Sequence, residues 1–245
     1  MGISLSSPET SRKMKDFSVL EGKLDLDFKN KDLLAQAFCH RSYINENPDF
    51  PLGHNERLEF LGDAVLELVV TEHLYNGHPD ETEGNLTSWR AALVNTRILS
   101  ETSKELGFDS FILLSKGEAG EVGRNKQSIL ADTFEALVGA IYLDGGYEPC
   151  KRFIEARLTV KLSKILELGL HKDSKSRFQE EAQSREGTTP SYKVLQESGP
   201  DHRKVFVLGV FIGEELIAQG KGFSKQEAEE EAARKALETK GWNGS

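Results

Sequence analysis

One stretch of the chain combines an apolar helical pattern with several carboxylates. The segment NERLEFLGDAVLELVV (55–70) has apolar residues around its whole helical circumference, which is typical of a buried helix. It also carries Glu56, Glu59 and Asp63, whose spacing of three and then four residues aligns them on one helix face. Because carboxylates are seldom buried unless they are paired or bind a metal, this face predicts a chemical role.

A second stretch repeats the combination. The segment SILADTFEALVGAIYLD (128–144) places Asp132 and Glu135 on one face of another mostly apolar helix. If the two helices pack together, their acidic edges form a cluster of like charges that cannot all ionise unaided. A divalent cation would resolve this conflict, and all-oxygen ligands favour Mg²⁺ or Mn²⁺ over zinc. A structural carboxylate network is the alternative, but two such helices in one region favour the metal site.

Other catalytic motifs are missing from the sequence. Glu72, His73 and His78 do not have the spacing of an H-E-x-x-H zinc site, and the chain contains no phosphate-binding P-loop motif and no G-x-S-x-G motif. His40, His54 and His73 are isolated from one another, so we expect packing or surface roles for them. The chemistry is therefore predicted to reside in the carboxylates.

Composition restricts the class of protein. The 245 residues suffice for one large domain or two smaller ones, and two cysteines, Cys39 and Cys150, indicate a reducing, cytoplasmic compartment. No apolar run reaches the ~18 residues of a membrane span, and no secretory signal is recognisable. The net charge is −9, but residues 173–245 hold 11 basic and 13 acidic side chains, so most of the excess acid precedes them. A local basic patch can therefore still bind phosphates.

The periodicity of the apolar residues changes along the chain. Helical spacing continues to about Leu168 and predicts an all-α domain, after which an α-β-β-β-α pattern predicts a small α+β domain. In this second domain Gly213 marks a tight connection between strands, and the last helix has one apolar stripe, formed by Ala228, Ala232, Ala233, Ala236 and Leu237. We predict a flexible tail over 1–18, the all-α domain over 19–168, a linker over 169–174 and the α+β domain over 175–242.

Several of these segments resemble the motifs of a known family. NERLEFLGDAVL (55–66) resembles the signature motif of the ribonuclease III family, and SILADTFEALVGAIYLDGG (128–146) resembles that family's second characteristic block. TEGNLTSWRAALVN (82–95) is similar to the segment between them. GPDHRKVFVLGV (199–210) and GKGFSKQEAEEEAARKAL (220–237) resemble the family's double-stranded RNA-binding domain. The resemblance therefore identifies the all-α domain as an endonuclease domain.

The resemblance also implies which residues carry the chemistry. It assigns catalysis and metal binding to four acids, called the acid quartet below: Glu59, Asp63, Asp132 and Glu135. Glu56 and Glu83 match further acids at the family's catalytic valley, although surface charge or a helix-start role is a competing interpretation. The implied cofactor is Mg²⁺, for which Mn²⁺ can substitute, and the implied assembly is a homodimer without a membrane partner. The implied reaction is two-metal-ion hydrolysis of both strands of duplex RNA, which leaves 5′-phosphate and 3′-hydroxyl ends during processing of structured precursors such as rRNA and mRNA.

The second domain supplies the predicted RNA contacts. Duplex RNA is recognised through its shape, 2′-hydroxyls and phosphates, and a helix N-terminus suits a phosphate. The resemblance assigns these contacts to the first helix, to a loop and to the start of the last helix: Gln179, Glu180, Gln183, Pro200, Asp201, His202, Ser224 and Lys225. The chain departs from the family at Gln226, where a basic residue is usual. We expect one phosphate contact to be lost there or to move to Lys221 or Lys235.

Two other functions compete with an RNA endonuclease. A non-catalytic double-stranded RNA-binding relative would keep the fold, but the intact acid quartet argues against it. A metal-dependent phosphohydrolase of small nucleotides would leave the RNA-binding domain without a role. Both alternatives make different predictions for a duplex RNA substrate.

Overall fold

The computed structural model describes residues 15–120, 124–171, 173–200 and 204–242. Most of the predicted tail, residues 1–14, lies outside these ranges. The chain divides into two compact units, one formed by residues 1–79 with 93–159 and the other by residues 80–92 with 160–245. Among the described residues, no helix has the length and apolar character needed to cross a membrane.

The elements follow the predicted change from helices to a mixed domain. The helices of the first part are α1 (Ser18–Leu24), α2 (Lys31–Ala37), α3 (Arg41–Glu46), α4 (Glu56–Gly77), α5 (Glu83–Leu93), α6 (Thr96–Glu105), α7 (Lys116–Ala119), α8 (Arg124–Gly145), α9 (Tyr147–Arg157) and α10 (Leu162–Glu167). The elements that follow are α11 (Ser174–Glu186), β1 (Ser191–Ser198), β2 (Val205–Ile212), β3 (Glu215–Gly222) and α12 (Lys225–Lys240). The predicted fold class, an all-α domain followed by an α-β-β-β-α domain, is confirmed.

Helices α4 and α8 form the centre of the first unit. They cross where Gly62 faces Gly139, and a Cβ atom on Gly62 would lie 1.7 Å from the carbonyl oxygen of Glu135. A Cβ atom on Gly139 would lie 2.2 Å from the carbonyl oxygen of Leu58. The two backbones are therefore in direct contact, which only glycine permits. Beside this crossing, the buried ring of Phe134 in α8 packs against Phe108 and Phe153.

The prediction that residues 55–70 form a helix buried on every side is wrong. Phe60 is 83% exposed and Leu68 is 57% exposed, and together with three other exposed side chains they follow one face of α4. This exposed stripe consists of Phe60, Ala64, Leu68, Thr71 and Tyr75. The opposite face is buried as predicted, through residues such as Leu66 and Val69. The apolar residues of α4 thus form two faces. One face is buried in the core of this chain, and the other face is exposed.

The second unit contains a three-stranded antiparallel sheet in the order β1-β2-β3. Helices α11 and α12 pack against it around Phe178, Val210 and Leu237. The predicted apolar stripe of α12 is confirmed, because its five residues are the buried residues of that helix. The connection between β2 and β3 contains Gly213 with φ of 60°, a conformation that favours glycine and fits the predicted tight turn.

The segment that precedes α11 contacts helix α5 through His171. The Ser88 hydroxyl donates a hydrogen bond to the carbonyl of His171 at 2.5 Å, and the Trp89 ring lies edge-on to the His171 ring. Both partners belong to the second compact unit, as does most of α5. The linker over 169–174 and the other domain boundaries stay a prediction, since these contacts concern packing and not independent folding.

The glycine crossing leads to a test by substitution. Gly62→Ala should destabilise the protein by more than the roughly 1–3 kcal/mol typical of an overpacked core, because the new methyl group meets a backbone carbonyl that cannot rotate away. Gly77→Ala is the matched control in the same helix, where a Cβ meets nothing within 4 Å. We expect this control to be neutral or slightly stabilising by up to about 1 kcal/mol. Thermal unfolding of both variants measures the difference, and an unchanged melting temperature for Gly62→Ala would contradict the close crossing.

Candidate active site

The start of α4 is fixed to the segment that joins α2 and α3. Asn55, which precedes α4, is buried, and its side-chain amide donates to the carbonyl of Ala37 at 3.2 Å. Its backbone N–H donates to the carbonyl of Cys39 at 2.9 Å. The first turns of α4, which carry Glu59, are therefore held in place by hydrogen bonds as well as by the glycine crossing.

The crossing brings carboxylates of α4 and α8 together. One carboxylate oxygen from each of Glu59, Asp132 and Glu135 lies within 4.8 Å of the other two, and all three side chains are half-buried. We call these three residues the carboxylate cluster. The Ser128 hydroxyl donates to Asp132 at 3.3 Å. The fourth acid of the quartet, Asp63, is exposed and is not part of this group of three.

Burial and mutual repulsion make the cluster hard to ionise. Burial raises the pKa of Glu135 to about 8, and the charges of Asp63, Asp132 and Glu59 add to the effect. Burial raises the pKa of Glu59 to about 6, again with contributions from neighbouring acids. The pKa of Asp132 is also raised by burial, although the Ser128 hydroxyl opposes the shift. Asp63 thus lies close enough to the cluster for its charge to act on two of its members.

The donor set of the cluster fits a hard divalent cation. It offers only carboxylate oxygens, the ligand type preferred by Mg²⁺, Mn²⁺ and Ca²⁺, and no thiolate or imidazole of the kind that marks a zinc site. Without a cation, protons must offset part of the negative charge, as the raised pKa values of Glu59 and Glu135 indicate. The arrangement can therefore bind either protons or a cation.

The two outer acids named from the sequence lie in different surroundings. Glu56 is exposed and forms an ion pair with Arg41 at 3.2 Å, and its second oxygen lies 3.7 Å from His54 Nδ1. Its charge also raises the pKa of Glu59. Glu83 lies in the first turn of α5, is exposed and accepts a hydrogen bond from Thr87 at 3.0 Å. A catalytic-valley role for Glu56 and Glu83 stays a prediction.

His40 lies near several acids, which could not be expected from the sequence. Burial lowers its pKa, whereas the charges of Glu118, Asp132 and Glu56 oppose that shift. His40 therefore lies within the electrostatic range of the carboxylate cluster without being a member of it, and its expected role in packing or at the surface stays a prediction. The neighbours come from separate helices, so no local spacing could have indicated them.

The predicted RNA contacts of α11 lie on its exposed side. Gln179, Glu180 and Gln183 are exposed and, together with two serines of the same helix, line a surface pocket. Gln183 accepts a hydrogen bond from the Thr189 hydroxyl at 3.0 Å. In the predicted loop, Pro200 is exposed, whereas 201 and 202 (Asp201 and His202) lie outside the described residues.

Glu227, which follows the departure at Gln226, takes part in the start of α12. The Ser224 hydroxyl accepts from the backbone N–H of Glu227 at 3.1 Å, and the Glu227 carboxylate accepts from the N–H of Phe223 at 2.8 Å. This arrangement resembles a capping box, in which a serine and a glutamate satisfy the free N–H groups of a helix start. Glu227 thus stabilises the helix, which is a structural reason for an acid at this position.

Three lysines of β3 and α12 differ in their ion pairing. Lys225 is exposed, and its ammonium lies 3.6 Å from Glu197 and 5.7 Å from the centre of the Phe206 ring. Of the two lysines expected to take over a phosphate contact, Lys235 is paired with Glu231 at 3.3 Å. Lys221 is exposed and makes no ion pair with any residue that the structure describes. Pairing therefore favours Lys221 as the substitute.

Comparison with known proteins identifies both parts of the chain. Residues 30–162 match the family model described as ribonuclease-III-like, and residues 174–240 match the double-stranded RNA binding motif. The chain belongs to the ribonuclease III family. It is 47% identical to Ribonuclease 3 of Borreliella burgdorferi over 214 residues, which cover 87% of each chain. It is 44% identical to Ribonuclease 3 of Bdellovibrio bacteriovorus over 222 residues, which cover 90% of this chain and 94% of that one.

Solved structures agree with this family. The nuclease domain of ribonuclease III from Campylobacter jejuni matches 62% of this chain and 96% of its own length, at 40% identity and a TM-score of 0.53. A second structure of that domain, described for structural flexibility in a region involved in dimer formation, matches 58% of this chain and 98% of its own length, at 42% identity and a TM-score of 0.52. The protein is thus a metal-dependent endoribonuclease of the ribonuclease III type with a double-stranded RNA-binding domain.

The raised pKa of Glu135 predicts a pH-dependent stability penalty in chelator-treated protein. The folded pKa of about 8 exceeds the ordinary 4.5, so the penalty is fully present above pH 8 and is relieved as the pH falls toward 4.5. Glu135→Gln should therefore melt roughly 2–5 °C above the wild type at high pH, and the difference should shrink as the pH is lowered. Glu67→Gln is the control, at an exposed acid of helix α4, which packs against α8. A difference that does not vary with pH would argue against a charge penalty at Glu135.

The position of Lys225 predicts sequence-independent phosphate binding. Lys225→Ala should weaken binding to unrelated duplexes about equally and lower the slope of log affinity against log salt by at most about 1, since Lys225 is already paired with Glu197. Lys240→Ala serves as the control, because Lys240 lies at the opposite end of α12 and pairs with Glu186. Gln226→Lys should tighten binding by restoring a base beside the same helix start. Gel-shift titrations at several salt concentrations give these values, and a loss confined to one duplex sequence would refute a phosphate contact.

Proposed function

We propose that this protein cleaves double-stranded RNA by Mg²⁺-dependent, two-metal-ion phosphodiester hydrolysis. The products would carry 5′-phosphate and 3′-hydroxyl ends, and the substrates would be structured precursors such as rRNA and mRNA in the cytoplasm. The observation that carries this proposal is the carboxylate cluster at the crossing of α4 and α8. The double-stranded RNA-binding domain of the same chain supports a duplex as the substrate.

The acid quartet would hold the cations. Glu59, Asp132 and Glu135 are close enough to share one cation, and the more exposed Asp63 would contribute a ligand toward solvent. When bound, divalent cations supply Lewis acidity, which lowers the pKa of an attacking water and offsets charge on the phosphate. The role of the side chains would be to hold this charge at the crossing of α4 and α8.

The pKa shifts of the cluster also support cation binding. A carboxylate binds a metal in its deprotonated form, so a cation must displace the protons that Glu135 and Glu59 retain. Because the pKa of Glu135 is about 8, cation affinity should rise with pH through the neutral range. Mn²⁺, which accepts the same oxygen ligands, can substitute for Mg²⁺ in such a site.

Cleavage of a long RNA duplex tests the proposal directly. The wild type should cut the duplex with Mg²⁺ and should leave it intact with EDTA. Glu135→Gln should lower cleavage by more than the roughly 10–100-fold that loss of an outer-shell partner costs, because a carboxamide is a poor ligand. Duplex binding should persist in this variant, and Glu67→Gln should cut normally.

The outcomes separate the competing functions. Duplex binding without Mg²⁺-dependent cleavage would favour the non-catalytic RNA-binding relative. Hydrolysis of mononucleotides with no action on the duplex would favour the small-nucleotide phosphohydrolase. Normal cleavage by Glu135→Gln at low Mg²⁺ would remove Glu135 from the acid quartet while leaving the endonuclease activity in place.

We also propose that the protein works as a homodimer, with the exposed stripe of α4 as part of the interface. The stripe places Phe60, Leu68 and Tyr75 in solvent, and each of these side chains is more than half exposed. A second copy of the same surface is an apolar partner of matching chemistry, as expected for a two-fold symmetric interface. The stripe adjoins the acids of α4, so two copies would bring two sites near one duplex, one for each strand.

A charge within the stripe tests the dimer. Leu68→Glu should convert the protein to a monomer in sedimentation equilibrium, because a carboxylate in an apolar interface loses its solvation. Val19→Glu is the control, since Val19 is similarly exposed at 58% but lies in α1, outside the stripe. A Leu68→Glu protein that remains dimeric would place the interface on another surface.

A further inference from the structure

Hydrogen bonds connect the backbone of Cys39 and His40 to Leu113 and to Asn55. The N–H of His40 donates to the carbonyl of Leu113 at 3.1 Å, and Cys39 forms a parallel bridge with the same residue. The carbonyl of Cys39 accepts from Asn55, directly before α4. Because Asn55 begins the helix that carries Glu59, the position of His40 is fixed relative to the carboxylate cluster.

Hydrogen bonds also fix the proton on the His40 ring. His40 Nδ1 lies 3.3 Å from the backbone N–H of Ser42, which can only donate, so Nδ1 is the acceptor. The Ser42 hydroxyl lies 2.8 Å from the same nitrogen, and its oxygen accepts from the N–H of Ser115 at 3.1 Å. The hydroxyl proton is therefore directed at Nδ1. In the neutral ring this pattern places the proton on Nε2.

The charged groups that act on His40 are mostly acids. Glu118 of α7, Asp132 of α8 and Glu56 of α4 act on the ring with their charges, and Arg41 of α3 is the one cation among them. Arg41 is itself paired with Glu56. Nε2 has no hydrogen-bond partner among the residues that the structure describes. His40 thus provides a neutral donor that none of the described residues uses, and it lies near carboxylates that would repel an RNA phosphate.

We propose that His40 contacts the RNA at the cleavage site, donating its Nε2–H to a non-bridging oxygen of the phosphodiester that lies over the carboxylate cluster. Ser42 is the positioning residue, because its hydroxyl and N–H hold Nδ1 as the acceptor. The proposal rests on the proposed endonuclease function and adds a donor that the acid quartet cannot supply. A donor fixed in advance toward a charged phosphate requires no reorganisation when the substrate arrives.

Substitution of His40 by asparagine isolates the donor. Asparagine can still accept from the N–H of Ser42 as a helix N-cap, so His40→Asn keeps α3 capped and removes the Nε2–H. The single-turnover cleavage rate at saturating duplex and Mg²⁺ should fall roughly 10–100-fold. This loss is smaller than the loss typical of removing an oxyanion-hole donor. The melting temperature and the Mg²⁺ concentration for half-maximal rate should stay at the wild-type values, since asparagine keeps the cap of α3 and His40 is not a member of the carboxylate cluster.

Ser42→Ala provides the second measurement. It should lower the single-turnover rate by a smaller factor, roughly 3–10-fold, because the ring loses its orienting hydroxyl but keeps its donor. In the His40→Asn background the same change should cost nothing further, because Ser42 acts through His40. A purely structural role of Ser42 would lower the rate by the same factor in both backgrounds.

The possible outcomes distinguish this proposal from the proposed function. If the wild type does not cleave the duplex, the endonuclease assignment fails. If the wild type cleaves and His40→Asn cleaves equally fast, only the role of His40 is overturned. Full recovery of the His40→Asn rate at higher Mg²⁺ would also overturn it, because His40 would then support the cation site and not the RNA. If His40→Asn does not fold, a Ser42→Ala rate equal to that of the wild type would overturn the proposal.

Discussion

The contact between Gly62 and Gly139 is the constraint on which the candidate site depends. A helix pair whose backbones touch cannot slide or separate without losing that contact, so the side chains on either side of it have fixed distances. Glu135 lies one turn before Gly139, and Asp63 directly follows Gly62. The acids of both helices are therefore brought together by the absence of two side chains. A larger interhelical distance would leave each carboxylate separately solvated.

This arrangement opposes the ordinary preference of carboxylates for water. Burial and mutual repulsion raise the pKa of Glu135 and Glu59, so the fold carries an electrostatic cost at neutral pH. The cost is tolerated because the other side of the helix pair buries a large apolar surface, including Phe134 and Leu66. A site that is unfavourable when empty gains the most when a cation arrives, which is a common property of functional sites.

The sequence predicted what depends on local spacing and missed what depends on tertiary neighbours. The pairing of Glu59 with Asp132 and Glu135 could be expected, because each helix displays its acids on one face. The exposure of Phe60 and Leu68 could not, since an apolar position looks the same whether it meets the core or another molecule. The acidic surroundings of His40 could not be expected either, because the acids come from α4, α7 and α8. The sequence does show two glycines inside long predicted helices, Gly62 and Gly139. The spacing of apolar residues does not reveal that these two glycines contact each other. The loop at 201–202 lies outside the described residues, so its predicted RNA contacts stay a prediction.

The ion pair between Lys225 and Glu197 has a consequence for selectivity among nucleic acids. In the free protein the Glu197 carboxylate pairs with Lys225, the lysine predicted to contact a phosphate. A phosphate that binds Lys225 as predicted must displace this carboxylate, and the exchange of one anion for another releases fewer counterions than binding to an unpaired lysine. A ligand with widely spaced phosphates gains little from this exchange, whereas a duplex presents several phosphates to the domain at once. With Lys225 as the predicted phosphate contact, Glu197 is therefore expected to weaken the binding of isolated anions more than the binding of a duplex.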